Sequence, residues 1–119
     1  MSKWKDGYKV VELCDGKYIS CMTQEDQAVV TYMVGTVSVP REGAGPLCVF
    51  TAEDVARHFA EVFADFSVFT CRYTESRAKH VWFPCKQCYI RRSRMWEPLA
   101  ELPHKTALAT QVLLLEEVK

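Results

Sequence analysis

The chain has 119 residues, 49% hydrophobic and 25% charged, with 15 basic and 15 acidic side chains and no net charge. That length predicts one domain spanning 1–119, and that balance excludes a uniformly basic protein. Six cysteines fall below the ~8–10% of a disulfide scaffold, and no window reaches the ~20 apolar residues of a membrane span.

The N-terminal MSKWKDGYKV lacks an apolar run of signal-peptide length, which predicts a cytoplasmic protein with no membrane partner. Residues 7–13 (GYKVVEL) read as a strand: Tyr8, Val10 and Glu12 alternate with Lys9, Val11 and Leu13, so both faces carry apolar groups. Asp15-Gly16 tolerates positive φ and predicts a hairpin turn into a second strand over 18–22. TQEDQ is a polar loop. Residues 28–34 are rich in Val, Thr and Tyr, a strand composition, and a weaker extended piece (TVSV) lies between Gly35 and Pro40. After the Gly- and Pro-rich loop 40–46, LCVF forms a short strand. Cys14, Cys21, Cys48 and Cys71 stand singly in or beside apolar runs and read as small buried hydrophobes.

The sharpest helix start is Thr51-Ala52-Glu53-Asp54, an N-cap threonine followed three positions later by a carboxylate. Val55, Ala56, Phe59, Ala60, Val62 and Phe63 then recur at helical spacing, which predicts a helix over 51–65. Strands follow over 66–73 and 81–83. Residues 85–97 fit either a helix or a long loop, and apolar strands at 106–109 and 111–118 close the chain. The expected fold is α+β: a curved, mostly antiparallel sheet of about six strands packed on one main helix.

Charge is distributed unevenly. Residues 71–96 hold seven Lys/Arg against one carboxylate, Glu75, a net +6; because the chain is neutral, the other 93 residues carry −6. Tyr73, Trp82, Phe83, Tyr89 and Trp96 are interleaved with those cations. Arginine and tryptophan are the types enriched in protein-binding hot spots, and cations beside aromatics also suit phosphates and stacked bases. The candidate contact residues are Lys86, Tyr89, Arg91, Arg92, Arg94 and Trp96; a protein partner comes first, with nucleic acid as the alternative. Cys85-x-x-Cys88 with His80 could furnish three ligands of a structural zinc, with Cys71 or His104 as a fourth. The spacing is not that of a zinc finger, and no second CxxC is present, so no cofactor is expected from it. No nucleophile–base pair is readable among His58, His80, His104 and the scattered carboxylates, and EGAGP lacks the lysine of a phosphate loop.

YKVVELCDGK, TYMVG, GAGPLCVF-TAEDVARHFA and ELPHKTALATQVLLLEEV together resemble a family of small α+β proteins encoded by phages and other large DNA viruses. The resemblance spans most of the chain. It implies a non-enzymatic viral or mobile-element accessory protein that binds a macromolecule and inhibits a host defence system. The sequence departs from that family at Lys105, where glycine is frequent, and in the basic segment 84–97. The strand–helix–strand order is also loosely similar to ADP-ribosyltransferase-like domains, which would imply NAD or nucleotide handling. Against that pattern, Tyr8-Lys9-Val10 offers no first-strand Arg or His, and only Glu116 or Glu117 could imitate the late-strand acid.

Overall fold

The computed structural model of the chain describes residues 3–20, 29–41, 45–61, 64–78, 80–82, 96–98 and 104–119, with the backbone alone at 80–82 and 96–98. Two long strands, β1 (Trp4–Cys14) and β6 (Phe66–Glu75), pair antiparallel along most of their length, from Trp4 opposite Thr74 to Glu12 opposite Phe66. β1 turns into β2 (Lys17–Ser20) through Asp15 (φ 52°) and Gly16 (φ 78°). Two successive positive φ angles match the right-handed twist of paired strands, which is why Asp-Gly suits this hairpin.

β3 (Thr31–Tyr32) lies along β2, and β4 (Val37–Ser38) lies along β9 (Thr106–Glu117). Between them the Thr36 amide donates to the Met33 carbonyl (3.1 Å), with Gly35 at φ 82° in the third position. That position of a type II turn requires positive φ and so favours glycine. β5 (Leu47–Phe50) pairs with β9 from Leu47 opposite Ala109 to Phe50 opposite Thr106, and touches β1 at Tyr8. β6 also pairs with both β1 and β9. β1, β6, β9 and β5 therefore complete a circuit, and the seven-stranded sheet closes upon itself.

Closure explains the core. Strand side chains alternate between faces, and one face is enclosed. Val11, Val30, Tyr32, Leu47, Val49, Phe69, Cys71, Tyr73, Ala107, Ala109, Val112 and Leu114 form a single buried cluster there. Tyr18 packs edge-on against Phe69, with ring centroids 4.9 Å apart. Gly7 is needed inside this cluster: a Cβ at that position would stand 2.8 Å from Tyr73 Cε1 and 3.0 Å from the Phe50 carbonyl oxygen.

The α+β expectation is overturned. Among the described residues the protein is mostly β, with a seven-stranded antiparallel sheet and one short helix. The helix α1 (Glu53–Ala60) has eight residues and does not run from 51 to 65. It covers only a smaller cluster on the outer face, where Ala56, Val55, Phe59 and Ala60 meet Tyr8, Val10, Phe50, Val68 and Phe66. The sheet is packed chiefly against itself. Helical spacing identified the apolar stripe of Val55, Ala56, Phe59 and Ala60 but could not set the helix length; Val62 and Phe63 lie outside the described residues.

The expected threonine cap also fails to form. The N-cap is Ala52, without a side-chain cap bond. Thr51 instead gives both its amide (2.8 Å) and its hydroxyl (3.2 Å) to the Lys105 carbonyl, tying the helix start to the turn before β9. Glu53 keeps the first-turn position favoured by the helix dipole and pairs with Arg57 at 3.0 Å.

Candidate functional site

Beyond the closed sheet stands a separate two-stranded ribbon. β7 (His80–Trp82) and β8 (Trp96–Pro98) pair antiparallel, with His80 opposite Pro98, Val81 opposite Glu97 and Trp82 opposite Trp96. The main sheet ends just before it. Glu75 is the last residue of β6, the Ser76 amide donates to the Leu108 carbonyl (2.8 Å), and the Ser76 hydroxyl receives the Ala78 amide (3.0 Å). Neither ribbon strand joins the seven-stranded sheet.

The ribbon settles where the basic-aromatic segment is attached. Trp82 and Trp96 are register partners, and residues 83–95 connect them. That connection carries Lys86, Arg91, Arg92 and Arg94 and no carboxylate. Hairpins ordinarily need two to five connecting residues, so pairing of β7 with β8 does not require a connection of this length. Of the predicted contact residues, Trp96 lies on β8; Lys86, Tyr89, Arg91, Arg92 and Arg94 fall outside the described residues. Of the predicted zinc ligands, His80 lies on β7 opposite Pro98, and Cys85 and Cys88 fall outside the described residues.

The two suggested fourth ligands lie in different settings. Cys71 faces the enclosed core opposite Gly7, and burial pushes its thiol up to about 12, with the Lys9 ammonium pulling the other way. His104 is exposed in the turn that precedes β9. Among the described residues, no three His, Cys, Asp or Glu side chains gather as a metal site. The other single cysteines divide: Cys14 is exposed, Cys48 half-buried and Cys21 outside the described residues.

The enclosed face holds a polar group that sequence reasoning passed over. Lys9 is 6% exposed; its Nζ donates to the Cys48 carbonyl at 2.7 Å and lies 5.3 Å from the centre of the Tyr32 ring. A carbonyl and an aromatic face both favour an ammonium withdrawn from water. Tyr73 also belongs to the enclosed core, its phenol pushed up mainly by burial, opposed by the Lys5 charge. The signal for Lys9 was present in the strand alternation, which puts it on the Val11 face. Lys9 has Phe69 as register partner, and Phe69 has Glu117. Two strand spacings, about 10 Å, thus separate Lys9 from that exposed acid, and the pair does not form a joint site.

At the ribbon end of the sheet the surface is ionic. Lys5 Nζ meets Glu75 Oε1 at 3.0 Å, which holds the Lys5 ammonium above its ordinary range. Arg72 and Asp6 are cross-strand partners, with Nε and Oδ1 3.7 Å apart. Both pairs are exposed and contribute little to stability. Comparison of this chain with known protein families, curated proteins and solved structures finds no match. Among the described residues, no helix is long and apolar enough to cross a membrane.

Proposed function

We propose that this protein is a non-enzymatic binding module that engages a macromolecular partner through its basic-aromatic segment 84–97. One observation carries the reading: the segment joins two strands that pair with each other outside the main sheet. Among the described residues, the core cluster is built chiefly from β1, β3, β5, β6 and β9, so changes in the connection are expected to leave that cluster intact. The 83–95 connection carries four cations and no carboxylate, in a chain otherwise acidic in sum, which suits an anionic surface. Arg beside Tyr, Met and Trp is also the composition of a protein contact rather than of a bare phosphate clamp. A protein with an acidic face is therefore the first partner, and the phage-type resemblance adds that it belongs to a host cell.

The test replaces Arg91, Arg92 and Arg94 together by Glu. Partners captured from host lysate by the unaltered protein are compared with those of the variant, with and without nuclease. Loss of a nuclease-resistant partner in the variant, with the thermal midpoint retained, is the expected result. Identical partners for both proteins remove the segment from the proposal. A partner lost after nuclease treatment alone assigns the surface to nucleic acid instead.

A further inference from the structure

We draw no further inference here: the strongest candidate, the Lys9–Tyr32 pair on the enclosed face between β1, β3 and β5, leaves the buried Tyr32 hydroxyl without a hydrogen-bond partner among the described residues, and nothing in the structure shows a space or a group beside it that would identify a ligand.

Discussion

Gly7 and Lys105 show how backbone and side-chain space are set one residue at a time. Gly7 leaves room for the Tyr73 ring, and on its other side stands the Phe50 carbonyl, which belongs to a paired strand and cannot easily yield. Gly7→Ala should cost roughly 1–3 kcal/mol, the usual scale of overpacking; urea unfolding measures it, and an unchanged midpoint would show that the strands separate freely. Lys105 has φ 62°, a left-handed conformation that costs a side-chain-bearing residue about 1–2 kcal/mol. Glycine relieves this and loses part of the gain to unfolded-chain entropy. Lys105→Gly should therefore stabilise by roughly 0.5–1 kcal/mol in the same assay, with Lys105→Ala nearly neutral. The Lys105 carbonyl holds both Thr51 donors, so the strained residue also anchors the start of α1.

Individual elements divide between those with local causes and those held by distant ones. The Asp15-Gly16 hairpin follows from local chemistry, and its register, Cys14 opposite Lys17, follows from a two-residue connection. α1 does not. Eight residues are too few for an isolated helix, and its position depends on Ala56 and Phe59 meeting Phe50 and Val68. Phe59 lies between two rings, 5.2 Å from Phe50 and 6.2 Å from Phe66, so it links the helix to both flanking strands. The ribbon is a third case. Valine and tryptophan at 81 and 82 suggested a short strand, but its partner, Trp96–Pro98, came from a stretch that fitted a helix or a loop equally. Pairing across a 13-residue connection is a non-local choice, and no window of sequence contains both strands' reasons.

At the scale of the molecule, closure of the sheet sets how the protein responds to alkali. Cys71 and Tyr73 are both buried acids whose pKa values are raised in the folded state. From pH 9 upward an unfolded thiol loses its proton while the folded one retains it up to about pH 12. The unfolded state then binds fewer protons, so stability falls as pH rises, by up to about 1.4 kcal/mol per pH unit for each such group. Unfolding free energy should be flat from pH 7 to 9 and decline above it. Cys71→Ala should lower the plateau by opening a small cavity and flatten the first part of the decline. An equally steep decline in that variant would assign the effect to other groups.

Much was legible in the sequence: most strands and their order, the turn glycines, the apolar stripe of α1 and the uneven charge. Each rests on chemistry within a few residues, where alternation, positive φ and helical spacing act. Tertiary structure alone decided that β1, β6, β9 and β5 close a circuit, that Lys9 is buried under Tyr32, that Thr51 serves Lys105 instead of its own helix, and that the helix is secondary to the sheet. Those outcomes depend on pairings between residues tens of positions apart, whose competition with local preferences is settled by which arrangement buries the most apolar surface while satisfying the backbone.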